Sequence, residues 1–314
     1  MSKTPNYDKE GITGSPDELI FKTYPNRRTR LGDLPISRAL PIRERRMIGP
    51  WCFLDRFGPL AFKDGRPMRV PPHPHIGLQT VSWLMEGVLL HTDSLGSEAI
   101  LHPGGVNVMT AGRGITHAEE TPPNNSGRLS GVQLWVALPD QHRNGEPDFT
   151  SVKQVPTIET QCGVIQLFAG SYEGITAPIT YFSEILGMDI KVNPHQTVSL
   201  SLNNIFEYAL LLLEGDCVAE NQPLAEKNLY DPGVGLESLS LSSQESYRVL
   251  IIGGSPYPEK ILMWWNFVAR TPEEISKARE DWEAHRHFGE VHGTRLKRLS
   301  APDLARFAHP NPAS

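Results

Sequence analysis

Short apolar and β-branched stretches alternate with turns containing glycine or proline along most of the chain. Between residues 76 and 120 this pattern predicts strands at 80–85, 88–93, 99–101, 106–110 and 115–119. Strands that recur about every ten residues indicate an antiparallel sandwich or barrel rather than a helical bundle.

A further strand is predicted at 131–138, and a second group of strands follows later in the chain, at 164–169, 181–186, 197–202, 208–213, 236–241 and 248–253. A buried strand is predicted to start at Trp51 and to end at Gly58-Pro59, and interrupted apolar pieces between residues 17 and 41 predict edge strands. The polar segment 139–156 reads as a linker. We therefore expect an N-terminal domain over 1–140, a linker over 141–160, a C-terminal domain over 161–270, and a helix with a tail over 271–314.

An internal repeat is suggested by two similar segments. Leu84-Met85-Glu86-Gly87-Val88-Leu89 is echoed by Leu212-Leu213-Glu214-Gly215-Asp216-Cys217-Val218, each a strand, a Glu-Gly turn and a further strand. One helix is predicted late in the chain, where Thr271 can cap it, Pro272 suits the first position and Glu274 completes a Thr-x-x-Glu pattern. The 1–14 segment is predicted to be frayed, and the polar tail beyond residue 295 to be loose.

Composition narrows the class of protein. The chain has 314 residues, of which 27 are glycine and 27 are proline. Their combined share exceeds the usual share of about 12%, and this excess favours turns and short strands. The net charge of −6 argues against direct nucleic-acid binding. The mixed-sign run at 43–46 is predicted to be a solvated face.

The cysteines and the apolar runs exclude other classes. Cys52, Cys162 and Cys217 are far apart and form no CxxC motif, so neither a disulfide framework nor a thiolate zinc site is expected. The polar N-terminus predicts no signal peptide, and the longest apolar runs fall far short of the ~20 residues of a membrane helix. We expect a soluble, cytoplasmic, monomeric protein with no membrane partner.

The strongest chemical signal is His73-Pro74-His75. Residues i and i+2 of a strand point to the same face, and Pro74 favours an extended His73. His117-Ala118-Glu119 repeats this spacing on another predicted strand. If the two strands face each other inside a barrel, three imidazoles and one carboxylate converge, a set that suits divalent iron, nickel, manganese or copper. Two such pairs beside turn glycines make a metal site a better explanation than chance.

Five other histidines are predicted to be structural or surface residues. His285-Arg286-His287 has the same spacing, but at the end of a helix residues i and i+2 are about 200° apart, so these are expected on the surface. His91 shares a strand face with Asp93 and is predicted to be a hydrogen-bonded core histidine. His102 lies in a turn and His195 has no neighbouring ligand. No P-loop, complete dinucleotide fingerprint, HExxH or GxSxG motif is present.

Several motifs together resemble one family. They are IGPWCFLDRFGP at 48–59, PHPHIG at 72–77, HTDSLG at 91–96, PGGVNVMTAGRGITHAE at 103–119, IGGSP at 252–256 and NFV at 266–268. In these motifs the chain resembles the pirin family of the cupin superfamily. The resemblance implies an all-β bicupin: two cupin-type antiparallel β-barrels (double-stranded β-helices) with a C-terminal helix, and metal in the N-terminal barrel only.

The resemblance also implies a ligand set and an activity. The family's metal ligands map onto His73, His75, His117 and Glu119, and its members usually carry iron, so one Fe(II) ion is expected, with Ni, Mn, Cu or Zn as alternatives. Some members are similar to quercetin 2,3-dioxygenases, which open a flavonol ring with O₂. The expected function is such a dioxygenase, with a flavonol-like substrate, O₂, and Glu119 as ligand and catalytic base.

The alternative function is a non-enzymatic, redox-sensitive iron-binding regulator that binds transcription factors or metabolic enzymes. An open metal position facing a flavonol-sized cavity favours the enzyme, and a closed, narrow pocket favours the regulator.

Two positions depart from the family pattern. Gln79 stands where most members have Glu, and Ile76 stands where Arg is common, which concerns the polarity near the mouth of the site. Leu78, Trp83 and Met109 are predicted to be plain core residues, with an apolar pocket wall as the alternative role.

Overall fold

The computed structural model describes residues 20–31, 34–62 and 68–304, so the predicted frayed segment 1–14 lies outside the described residues. The strands of the first half are β1 Lys22–Pro25, β2 Arg27–Leu31, β3 Leu34–Leu40, β4 Trp51–Ala61, β5 Arg69–His75, β6 Leu78–Glu86, β7 Leu89–Asp93, β8 Glu98–Leu101, β9 Val106–Thr110, β10 Ile115–Glu120, β11 Arg128–Ala137 and β12 Asp148–Val152.

The second half supplies the remaining strands and a helix. These are β13 Thr157–Glu159, β14 Gly163–Tyr172, β15 Ile175–Thr176, β16 Ile185–Val192, β17 Thr197–Ser201, β18 Glu207–Glu214, β19 Cys217–Ala219, β20 Gln222–Leu224, β21 Asn228–Gly233, β22 Ser238–Ser242, β23 Tyr247–Gly254, β24 Leu262–Trp264, β25 Phe267–Ala269 and α1 Pro272–Glu283.

The strands form two pairs of antiparallel sheets. In the N-terminal half the orders are β12-β9-β6-β11-β4-β3-β2 and β5-β10-β7-β8, and in the C-terminal half they are β1-β21-β18-β23-β16-β14-β13, with β15 beside β14, and β17-β22-β19-β20. The predicted antiparallel all-β architecture is confirmed. A β24–β25 hairpin and α1 follow and pack beside the N-terminal sheets, where Phe267 forms a bridge to Ile76.

Alternation along β6 explains how one strand serves two interiors. Thr80 and Ser82 point into the N-terminal barrel, where Ser82 donates a hydrogen bond to Glu119. Val81 and Trp83 point the other way, into an apolar core shared by the two halves. Successive residues of a strand face opposite sides, so the polar residues Thr80 and Ser82 face the barrel while Val81 and Trp83 face the core.

Several features of the sequence prediction are confirmed. Thr271 caps α1 by accepting a hydrogen bond from the Glu274 backbone N–H at 3.3 Å. Both Glu-Gly turns of the repeat place glycine at positive φ, +88° at Gly87 and +73° at Gly215, where a residue without Cβ is favoured. Cys52, Cys162 and Cys217 are free thiols.

Some element boundaries were predicted wrongly. β4 does not end at Gly58 but continues to Ala61, because Gly58 adopts a φ of +77° opposite a register shift in β11. The strand predicted at 181–186 lies at Ile185–Val192 instead. That strand contains Asp189, whose buried carboxylate is paired with Arg248 at 2.7 Å, a compensation that polarity alone does not reveal.

The connections also differ from the predictions. The segment 141–160, predicted as a linker, contains β12, which pairs with β9, and β13, which pairs with β14. The strand β1 pairs with β21 of the C-terminal half. The run 43–46 is not simply a solvated face, since Arg45 forms ion pairs with Glu207 and Asp231 at 2.9 and 3.0 Å.

The tail was predicted to be loose, but up to residue 304 it packs on the N-terminal half. The Leu299 backbone N–H donates a hydrogen bond to the Pro72 carbonyl at 2.9 Å, and the Leu299 carbonyl accepts one from the Trp282 indole at 2.8 Å. The guanidinium of Arg298 lies 3.4 Å from the centre of the Trp282 ring. No helix in the described ranges is both long and apolar enough to cross a membrane.

Candidate metal centre

Three of the predicted ligands are brought together by the pairing of β5 with β10. His117 lies directly opposite His73 in the antiparallel register, and Ile115 lies opposite His75. Because His73 and His75 are two residues apart, both project from the same face of β5 as His117 does from β10. The ligand atoms of the three histidines lie within 4.8 Å of one another.

Backbone carbonyls orient two of these rings. His73 Nδ1 lies 2.8 Å from the Pro71 carbonyl oxygen, and His75 Nδ1 lies 3.0 Å from the carbonyl oxygen of Asn266. A carbonyl can only accept, so each Nδ1 carries the proton and each Nε2 keeps a lone pair. The β24–β25 hairpin thereby helps to position a side chain on β5.

Burial keeps the imidazoles neutral. Removal from water lowers the pKa of His73 to about 4, despite the opposing hydrogen bond to Pro71. Burial, reinforced by the neighbouring imidazoles, lowers the pKa of His75 and of His117 well below the usual value. Neutral imidazole is the form that binds a metal.

The donor set fits a metal ion. The Nε2 atoms of His75 and His117 lie only 3.1 Å apart. If His117 also carries its proton on Nδ1, two lone pairs face each other at this distance and repel unless a cation lies between them. Nitrogens about 2.1 Å from one ion and at roughly a right angle to each other would lie about 3 Å apart, which matches this separation.

Glu119 is positioned differently from the three histidines. It is buried in the same barrel, but it forms a second potential metal-binding group with His91 and His117. A register shift lies between His117 and Glu119, so Glu119 pairs with Val70 instead of Pro71, the residue that unbroken pairing would place opposite it. Burial raises the pKa of Glu119, against the opposing effects of His91 and the hydrogen bond from Ser82.

The histidines open onto a cavity of about 420 Å³. This volume lies within the roughly 300–1,000 Å³ of small-molecule sites. Most of its wall is apolar or aromatic, formed by Ile36, Phe53, Phe57, Met68, Val70, Trp135 and Trp265. A larger cavity of about 610 Å³ lies in the C-terminal half, but both potential metal-binding groups of the described residues lie in the N-terminal half.

An aromatic stack and an ion pair form part of the cavity wall. The rings of Phe53 and Trp135 are stacked with centroids 4.1 Å apart. Arg38 lies over the Phe53 ring at 4.5 Å and binds Asp55 through two hydrogen bonds of 2.7 Å. Burial raises the pKa of Asp55, although the Arg38 guanidinium opposes this.

The sequence did not single out these wall residues, and it offered Leu78, Trp83 and Met109 for the wall only as an alternative to plain core positions. Leu78 and Met109 lie in an apolar core beside the barrel, and Trp83 lies in the core between the halves, so the plain core assignment holds for all three. The period-2 alternation of β4 could have indicated that Phe53, Asp55 and Phe57 share a face. It could not indicate that this face lines the cavity.

The two departures from the family pattern lie away from the cavity wall. The amide of Gln79 donates to Thr110 Oγ1 at 3.0 Å and to the Thr180 carbonyl at 3.1 Å, at the contact between the two halves. Ile76 packs with Trp264 and Phe267 of the β24–β25 hairpin.

Five other histidines for which the sequence made a prediction lie where it placed them. His91 is buried and hydrogen-bonded to Asp93, and His102 and His195 are exposed. His285 and His287 are also exposed, although for a different reason, because both lie beyond the end of α1 at positive φ.

Comparisons with known proteins agree with this architecture. Residues 33–136 match the family model described as Pirin, and residues 187–289 match that of the Pirin C-terminal cupin domain. A Pseudomonas aeruginosa protein named "Putative quercetin 2,3-dioxygenase" is 42% identical over 274 residues, covering 87% of each chain. A "Pirin-like protein" of Caulobacter vibrioides is 35% identical over 277 residues, covering 85% of this chain and 94% of that protein.

A solved structure shows the same fold over nearly the whole chain. The crystal structure of quercetin 2,3-dioxygenase from Acinetobacter baumannii matches with a TM-score of 0.90 at 38% identity, covering 94% of this chain and 99% of that one. The predicted two-domain, cupin-type fold is thereby confirmed.

Proposed function

This chain belongs to the pirin family, and from that premise we propose that it is a metal-dependent dioxygenase that opens the ring of a flavonol-like substrate with O₂. The observation that carries the proposal is the cavity of about 420 Å³ onto which the three histidines open. A closed, narrow pocket around a fully enclosed metal would have favoured a regulator without a substrate. The names of the similar proteins from Pseudomonas aeruginosa and Acinetobacter baumannii support the same reaction class.

The proposed ligands are His73, His75, His117 and Glu119, with Fe(II) as the proposed ion. Three neutral imidazoles with a carboxylate in the same cavity suit several first-row divalent ions. When bound, such an ion stabilises the anion of an aromatic hydroxyl and supplies the redox activity that O₂ chemistry requires.

The protein's own residues bind the substrate and accept its proton. The flat, stacked surface of Phe53 and Trp135 suits a planar aromatic ring. The apolar wall excludes water from the reacting atoms. The Glu119 carboxylate, with one oxygen held by Ser82 Oγ at 3.0 Å, accepts the proton of the substrate hydroxyl on its other oxygen.

The direct test is turnover with quercetin. Protein loaded anaerobically with Fe(II) is mixed with quercetin and O₂, and the loss of flavonol absorbance is followed together with O₂ uptake. We expect the two to proceed in equal amounts. Absence of turnover with several flavonols and with iron, nickel and manganese would refute the enzyme and favour a metal-dependent binding module.

Variants separate metal binding from substrate binding. His75→Ala should abolish metal retention and turnover together, whereas His102→Ala, at an exposed position, should leave both unchanged.

Trp135→Leu removes the stacked surface but no proposed ligand, so it should raise KM about tenfold or more while metal content stays at one ion per chain. A Trp135→Leu protein with unaltered KM would contradict the assigned substrate position.

A further inference from the structure

A chain of hydrogen bonds lies behind His117, on the side away from His75. His91 on β7 and His117 on β10 belong to paired strands, with Asp93 opposite His117. His91 Nδ1 lies 3.4 Å from His117 Nδ1, and His91 Nε2 lies 3.0 Å from Asp93 Oδ2. The His91 ring is buried and stacked on Phe149 at 4.1 Å, which restricts its rotation.

The direction of these hydrogen bonds follows from Asp93. Its Oδ1 accepts from the backbone N–H groups of Leu95 and Ser97 at 2.9 and 3.0 Å. Its Oδ2 therefore faces His91 as an acceptor, and His91 Nε2 must carry the proton. A neutral His91 then presents an unprotonated Nδ1, to which the Nδ1–H of His117 donates.

This direction decides which nitrogen of His117 faces the cavity with a lone pair. With its proton on Nδ1, His117 keeps a lone pair on Nε2, the atom 3.1 Å from His75 Nε2. His73 and His75 are oriented by carbonyl groups, which cannot change from acceptor to donor. Of the three, only His117 depends on side chains for its tautomer.

We propose that Asp93 and His91 are positioning residues that set the tautomer and ring orientation of His117, so that its Nε2 lone pair points at the metal. This inference rests on the proposed metal site and extends it beyond the four ligands. Groups that orient a ligand from behind typically change metal affinity 10–100-fold when they are replaced. The proposal also assigns His91 a role other than ligand, although His91 forms a potential metal-binding group with His117 and Glu119.

The most informative variant is Asp93→Asn. The two backbone N–H groups hold an oxygen at the Oδ1 position, so the new amide nitrogen occupies the Oδ2 position and donates to His91 Nε2. The His91 proton must then move to Nδ1, where it meets the Nδ1–H of His117. Two donors cannot share one hydrogen bond, so His117 loses either its tautomer or its orientation.

Two measurements read this change. Nitrogen-15 NMR of the imidazoles in the metal-free protein reports which nitrogen carries the proton, and it should show His91 protonated on Nε2 in the wild type and on Nδ1 in Asp93→Asn. Competition for Zn(II) against a chelating dye should show a 10–100-fold loss of affinity in Asp93→Asn.

A matched pair at position 91 separates the hydrogen bond from the packing. His91→Asn and His91→Leu have similar size, and both lose the stacking on Phe149. Only asparagine offers an oxygen near the former Nδ1, so Zn(II) affinity should fall 10–100-fold in His91→Leu and by less than about fivefold in His91→Asn. Equal unfolding midpoints of the two metal-free variants would show that packing is matched.

Two results would overturn the proposal. One is equal Zn(II) affinity in wild type, Asp93→Asn and His91→Leu. The other is a nitrogen-15 chemical shift which shows that a ring nitrogen of His91 binds the metal. If the wild-type protein binds no metal at all, the proposed function fails. In that case, the imidazole tautomers of the metal-free protein would still test the hydrogen bonds from His117 through His91 to Asp93.

Discussion

At the scale of single residues, the site depends on buried imidazoles whose protons are placed by their neighbours. His73 and His75 are held by carbonyl groups, and His117 faces His91. Burial disfavours the charged form of each ring, so a buried imidazole takes up a proton less readily than an imidazole in water. Without a bound ion, this makes the stability of the protein sensitive to acid.

We expect the metal-free protein to lose stability as the pH falls from about 6.5 towards 4. The unfolded chain takes up protons near the ordinary histidine pKa of 6.5, whereas burial lowers the pKa of His73 to about 4 in the folded state. Above this window both states are neutral and the effect vanishes. Within it, each such histidine lowers the free energy of unfolding by up to about 1.4 kcal/mol per pH unit.

Urea unfolding of chelator-treated protein between pH 7 and 4.5 measures this slope. His73→Asn should reduce the slope of unfolding free energy against pH by the contribution of one histidine. His102→Asn, at an exposed position, is the control. The same slope in the wild type and in His73→Asn would show that burial of His73 does not matter for acid stability.

At the scale of elements, the turn after β5 links the metal strand to the β24–β25 hairpin. Gly77 follows His75 by two residues and adopts a φ of +69°. A Cβ at this position would lie 2.1 Å from the Val268 carbonyl oxygen of β25. The hairpin also provides the Asn266 carbonyl that orients His75, so the turn and the ligand are mechanically connected.

Gly77→Ala should therefore destabilise the protein and weaken metal binding together. Gly96→Ala is the matched control, because Gly96 has a φ of +87° but nothing within 4 Å of its Cβ position. Backbone strain alone should lower the free energy of unfolding of the control by about 1 kcal/mol, measured by urea unfolding. Gly77→Ala should lower it by at least about 2 kcal/mol more. Equal losses of unfolding free energy in the two variants would mean that the hairpin moves away from the added Cβ without destabilising the protein.

At the scale of the whole molecule, the two halves share one interior. The core between them contains Val81 and Trp83 from one half and Phe168 and Leu211 from the other. The indole N–H of Trp83 donates to the buried carboxylate of Asp189 at 2.6 Å. Neither half can separate without exposing these groups to water.

We expect the metal-free protein to unfold in a single cooperative transition, although chains of this length often unfold domain by domain. Calorimetry should give a ratio of calorimetric to van't Hoff enthalpy close to one. Two resolved transitions would indicate that the shared core contributes little to the coupling of the halves.

The sequence predicted much of the fold because its signals were local. Alternation and turn glycines predicted most strands, Thr271 and Pro272 predicted the start of α1, and the i, i+2 spacing put His73 and His75 on one face. Local signals failed where distant partners decide the outcome. The strand with Asp189 was misplaced because its compensating partner, Arg248, lies 59 residues away in the chain.

The sequence by itself determined the antiparallel fold class, the family and the side-chain types available to hold a metal, since these follow from composition, period and motif. Only the tertiary structure decided which side chains meet. It placed His117 opposite His73, Asn266 behind His75, and Phe53 beside Trp135. The physical reason is that strand register, bulges and the packing of the two halves set these distances, and each depends on residues far apart in the chain.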